Sequence, residues 1–200
     1  MNDLYKTIQS PAEGLYKEKG SKFIAYAYPI SSAEAVKAQL QDLHKRYHDA
    51  SHHCYAWRLG ANLEHYRVND DGEPSGSAGK PIYGQIQSRE LTDVLVVVIR
   101  YFGGTLLGVG GLINAYRSAA SDALDRSHIV EMKVYSRLKV EFSYAQMNSV
   151  MKLIKDFKLE FEDHQFDMEC HLVLKVWKRI ESKVVENLSH LSGCKVEVNP

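Results

Sequence analysis

The chain has 200 residues, 44% hydrophobic and 25% charged, with a formal net charge of zero. These values suit a globular protein of one large or two small domains. The balanced charge argues against a nucleic-acid binder driven by a large basic surplus and leaves room for a local basic patch. No apolar stretch approaches the roughly 20 residues a membrane-crossing helix needs, and the opening MNDLYKTIQSPAEG lacks an apolar signal core. Cys54, Cys170 and Cys194 are far apart and form no CxxC pair, as expected of reduced thiols. The expectation is a cytoplasmic protein that does not engage a membrane.

In chain order, Gly14–Lys17 and Lys22–Pro29 are aromatic-rich alternating runs around Glu18–Ser21, a hairpin pattern. Ser31 and Glu34 have capping-box spacing. Behind them, Val36, Leu40, Leu43 and Tyr47 recur at helical period, predicting a helix over 32–47. His53 to Leu59 alternates as a strand, and a second strand is predicted at Leu63–Val68. Asp70–Lys80, DDGEPSGSAGK, reads as a solvated loop, followed by a short helix that starts near Pro81 and ends near Arg89. Val94–Tyr101 is apolar on both alternating faces and should be a central, doubly covered strand. A helix is predicted over 111–126. Beyond a division near Glu131–Tyr135, the pattern is strand 134–142, helix 144–157, strands 159–166 and 168–177, helix 179–191 and strand 194–198. That β-α-β-β-α-β order is ferredoxin-like, and the domains are placed at 1–132 and 133–200.

The densest chemical signal is Arg100, Tyr101 and Phe102 followed by Gly103-Gly104, Gly108 and Gly110-Gly111. Glycine at that density serves either a tight strand-to-helix connection or an anion site. In the second case backbone N–H groups near Gly110-Gly111 meet phosphate, with charge from Arg100 and Arg117. The segment is neither a Walker loop nor GxGxxG. In the preceding loop, Asp70, Asp71 and Glu73 are candidate cation ligands, and Ser75, Ser77 and Lys80 candidate phosphate contacts, although the spacing misses a calcium loop. His44 and His48 are spaced as a zinc-binding pair but lack an HExxH arrangement. No nucleophile motif is present. Neither a metal nor a cofactor is expected.

The run GQIQSRELTDVLVVVIRYFGGTLLG (Gly84–Gly108) resembles the signature of the Impact/YigZ family. The likeness extends through HHCYAWR (His52–Arg58), DDGEPSGSAGKPI (Asp70–Ile82) and GVGGLINAYRSAA (Gly108–Ala120). It implies an α+β fold of two domains. The first is an Impact-type domain similar to elongation factor G domain IV. The second is ferredoxin-like and similar to elongation factor G domain V, without the additional regulatory domain of eukaryotic members. The family is linked to regulation of translation, with nucleic-acid binding and no established catalysis. The resemblance therefore implies a non-enzymatic protein that binds RNA or the ribosome. Its presumed surface holds Lys80, Arg100, Tyr101, Gly103, Gly104, Arg117 and the loop from Asp70 to Gly79, beside the phosphate candidates Gly110 and Gly111 already read from the glycine spacing. Two alternatives are an enzyme using the Asp70–Lys80 loop on a phosphorylated ligand, and a module that docks a translation factor or another regulatory protein.

Overall fold

A computed structural model describes residues 3–61 and 65–199. The chain forms two compact units, Tyr5–Met132 and Lys133–Pro200, the second also taking Met1–Leu4. The architecture is α+β throughout.

The larger unit begins one residue into β1 (Leu4–Ile8) and continues with β2 (Ala12–Glu18) and β3 (Ser21–Pro29). Between β2 and β3 only Lys19 and Gly20 turn the chain, both with positive φ (45° and 80°). This is the type I′ geometry that matches the strand twist, so the strands run further into the turn than the alternation predicts. Helix α1 (Ala33–Arg46) follows. Its N-cap is Ser32 rather than Ser31: Ser32 Oγ accepts from the Ala35 backbone N–H at 3.3 Å. Next come β4 (His52–Leu59), β5 (His65–Asn69), α2 (Gly79–Ser88), β6 (Val94–Tyr101), α3 (Gly108–Asp125) and β7 (Ile129–Lys133). The predicted start of the second strand, at Leu63 and Glu64, lies outside the described residues.

The five-stranded sheet has the order β2-β3-β6-β4-β5, antiparallel at every pairing. Strand β6 is central. Val94, Val96 and Val98 pack with Leu112, Ala115 and Ala119 of α3 and Ile82 and Ile86 of α2. Leu95, Val97 and Ile99 pack with Val36 and Leu43 of α1. Successive strand residues face opposite sides, so Arg100 continues the α2/α3 face and Tyr101 the α1 face. Strands β1 and β7 form a separate two-stranded sheet that the alternation gave no sign of.

The smaller unit comprises β8 (Tyr135–Ser143), α4 (Met147–Asp156), β9 (Glu160–Phe166), β10 (Glu169–Trp177), α5 (Glu181–Ser189) and β11 (Lys195–Asn199). Its sheet order, β11-β8-β10-β9, with antiparallel neighbours, is the ferredoxin-like arrangement. Leu138, Val140, Leu172 and Leu174 face Val150, Ile154, Val184 and Leu188 of the two helices. The other face carries ion pairs such as Arg137–Glu162 and Lys139–Glu141.

Candidate functional site

Strand register builds the site. Arg100 of β6 lies opposite Phe23 of β3 on one side and His52 of β4 on the other. The three side chains form a row across the sheet on its α2/α3 face. The Arg100 guanidinium lies 5.5 Å from the Phe23 ring centroid and 5.6 Å from that of Phe102, within cation–π range of both.

The charge of Arg100 is already engaged. Its Nη1 donates to Glu73 Oε1 at 2.6 Å, and the two side chains are only 7% and 4% exposed. Tyr116 of α3 donates its hydroxyl to the same oxygen at 2.7 Å. Cys54 Sγ donates to the Asp70 carbonyl at 3.0 Å and lies 3.3 Å from Tyr116 Oη. Burial pushes the Cys54 thiol and the Tyr116 phenol far up, so both stay protonated and serve as hydrogen-bond groups. His52 Nδ1 lies 2.7 Å from the Asp71 carbonyl. A carbonyl only accepts, so Nδ1 carries the proton, which turns Nε2 towards Glu73 Oε1 at 3.9 Å.

The Asp70–Lys80 segment is not the solvated loop the composition suggests. Asp70 accepts from the backbone N–H groups of Gly76, Ala78 and Gly79 at 2.8–3.0 Å. Burial alone would raise its pKa. The three N–H bonds outweigh that and hold the carboxyl below its usual range. The segment therefore supplies its own anion at the start of α2, in the position a phosphate would take. Asp71 accepts from the His53 N–H at 2.6 Å, Glu73 is buried against Arg100, and Ser77 is fully buried and donates to the Pro74 carbonyl. These contacts turn the cation-ligand reading of Asp70, Asp71 and Glu73, and the phosphate reading of Ser77, into structural roles. Ser75 and Lys80 are exposed.

The glycine turn divides by position. A Cβ on Gly103 would sit 1.9 Å from the Gly20 carbonyl carbon, so Gly103 is required where the turn packs on the β2–β3 hairpin. Helix α3 begins at Gly108, ahead of the predicted 111, with Gly110 and Gly111 inside its first turn. Gly110 meets nothing and Gly104 has open space and positive φ. Among the described residues no side chain caps the N-terminus of α3. Tyr101 leaves the site: its hydroxyl donates to Asp49 at 2.7 Å on the α1 face, and that bond and burial push its pKa up to about 12. Arg117 is exposed on α3 and, like Lys80, does not line the site's cavity.

That cavity, about 500 Å³, lies between the sheet end, Pro74, the glycine turn and the start of α3. Arg100, Glu73, His52 and Ser51 provide its polar lining, and Phe102, Leu106 and Val109 its apolar rim. Those three rim residues are exposed by 49%, 83% and 53%. Beside the turn, the hairpin tip presents Lys17, Lys19 and Lys22, all exposed. Sequence reasoning did not single out this cationic tip; it set His52 and His53 on opposite faces of a strand start, so that at most one could line a site, and His52 is the one that does. The signal for the tip was present in KEKGSK; the signal for His52 needed the strand register.

The structure thus defines a chain of two α+β units, one with a buried Arg–Glu pair beneath a glycine turn and one ferredoxin-like. A family model described as the Impact N-terminal domain matches residues 19–124, and the chain belongs to that family. It is 28% identical to the Bacillus subtilis IMPACT family member YvyE over 194 residues, covering 97% of this chain and 89% of that protein. It is 32% identical to the Escherichia coli IMPACT family member YigZ over 160 residues, 78% of each. A crystal structure described as that of a hypothetical protein superposes with a TM-score of 0.78 at 26% identity, covering 99% of this chain and 97% of that one. Among the described residues no helix is long and apolar enough to cross a membrane.

Proposed function

We propose that the protein is a cytoplasmic, non-enzymatic, translation-associated factor that binds RNA, on its own or within the ribosome, through the larger unit. One observation carries this reading. The lysine-bearing hairpin tip is packed at Gly103 against the turn that presents Phe102 and Leu106. Lys19 at the tip of that hairpin and the Phe102 ring therefore adjoin, a cation for phosphate beside an aromatic face for a base, which is the combination single-stranded nucleic acid requires. The reading shifts phosphate neutralisation away from Arg100, whose charge Glu73 engages, to Lys19 at the hairpin tip, with Lys17 and Lys22 extending the charge along the α1 face of the same hairpin. Lys80 and Arg117 are further exposed contacts on α2 and α3.

The test is co-sedimentation with ribosomal subunits and titration of a short single-stranded RNA between about 50 and about 200 mM salt. Affinity should fall steeply with salt, and Lys19→Ala should reduce the logarithmic salt slope by about one. Absence of binding to every RNA and to both subunits overturns the reading.

A further inference from the structure

We propose that the cavity beside Phe102 receives one unstacked nucleobase of the bound strand; this rests on the RNA reading above. At about 500 Å³ the cavity is within the range of small-molecule sites. Its rim is apolar and exposed at Phe102, Leu106 and Val109, an arrangement that marks a binding site rather than a finished surface.

Its lining chooses among occupants. A phosphate would face the Glu73 carboxylate, which lines the same space as Arg100. A purely apolar side chain would leave polar groups unanswered. Arg100 is 6% exposed and, among the described residues, its buried Nε has no hydrogen-bond partner. The N-terminus of α3, where Gly108 and Val109 reach the cavity, has no side-chain cap among the described residues. An acceptor at Glu73, donors at Arg100 and the helix start, and an aromatic ring at the mouth together fit a planar heterocycle. Such a group has N–H and carbonyl groups on one edge and a π face for Phe102. Bases splayed from a single strand are bound in this way, stacked on aromatic rings and hydrogen-bonded along their edges.

The experiment titrates the full chain with a fluorescent single-stranded RNA and with the same sugar-phosphate backbone carrying abasic positions. It compares wild type with Phe102→Ala, Phe102→Tyr, Leu106→Ser and Lys19→Ala. Phe102→Ala should weaken RNA binding roughly five- to 150-fold, the worth of one stacked base. The salt slope should stay unchanged, because no phosphate contact is lost. Phe102→Tyr should restore affinity. The abasic strand should bind wild type about as weakly as RNA binds Phe102→Ala. Leu106→Ser, at an 83% exposed position, gives the same readout should Phe102→Ala fold poorly. If RNA binds with the Lys19-dependent salt slope and neither Phe102→Ala nor Leu106→Ser weakens it, the base pocket is overturned and the RNA reading stands. If wild type binds no RNA, both fall.

Discussion

The two sheets handle charge in opposite ways. The five-stranded sheet is covered by α1 on one face and by α2 and α3 on the other, and it seals Arg100 and Glu73 between strand, loop and helix. The four-stranded sheet has both its helices on one face and spreads its ion pairs over the other, where Arg137 is 64% and Glu162 37% exposed. The lesson concerns what an ion pair is for. Exposed pairs exchange with water at little net gain, whereas a buried pair is a mutual obligation in which either partner alone is costly. Arg100 is thus first a structural element, and only through its place under Phe102 part of a binding surface.

The largest effect of substitution falls on the buried pair. Arg100→Ala should lower unfolding free energy by about 3–5 kcal/mol, because Glu73 is left charged and buried; urea denaturation measures it. A loss no larger than that of an exposed pair would remove the distinction. A consequence for binding studies is that Arg100→Ala reports on folding, so Lys19 and Phe102 are the positions that separate binding from stability. A smaller effect is expected at Gly103→Ala, where the added methyl meets the Gly20 backbone. Overpacking of this kind costs about 1–3 kcal/mol, read as a lowered Tm.

A pH effect comes third. His53 lies on the α1 face with its ring 4.0 Å from that of His44 and its buried Nε2 without a hydrogen-bond partner among the described residues. Burial first, and His44 second, lower its pKa from 6.5. The unfolded chain therefore takes up a proton more readily than the folded one. Stability should be intact above the unfolded value and should fall as pH drops below about 6.5. Denaturation midpoints at pH 7.5 and 5.5 should differ more for wild type than for His53→Phe. Equal differences would assign the acid sensitivity elsewhere. At the bottom of the scale, Arg137→Ala on the four-stranded sheet should leave the midpoint unchanged within error.

Much of the fold was legible because period and burial coincide. Val94–Tyr101, apolar on both faces, became the central strand, and the ferredoxin-like rhythm followed the sequence closely. What was hidden depended on partners distant in the chain. Strand β1 has no clean alternation and finds its partner β7 more than a hundred residues later. Ser31 and Ser32 both suit a cap, and only backbone direction decides between them. The Asp70–Lys80 segment has the composition of a loop, and its order comes from one carboxylate meeting three backbone N–H groups, which have no letter in the sequence. The site was legible as a place, the glycine turn after Arg100, but not as a set of contacts. Its row of Phe23, Arg100 and His52 exists only once strand register is known.

The N-terminal residues close the smaller unit. Asp3 accepts from Trp177 Nε1 at 3.1 Å and from the Val134 N–H at 2.9 Å, and the chain then leaves to build the whole larger unit before returning at Lys133. In chain order the larger unit is thus inserted between residues that belong to the smaller one. A single cleavage after Met132 would release a fragment missing the strand-end contacts that dock Trp177. To express the ferredoxin-like unit whole, Asp3 and Leu4 must be rejoined to Lys133 through a short linker.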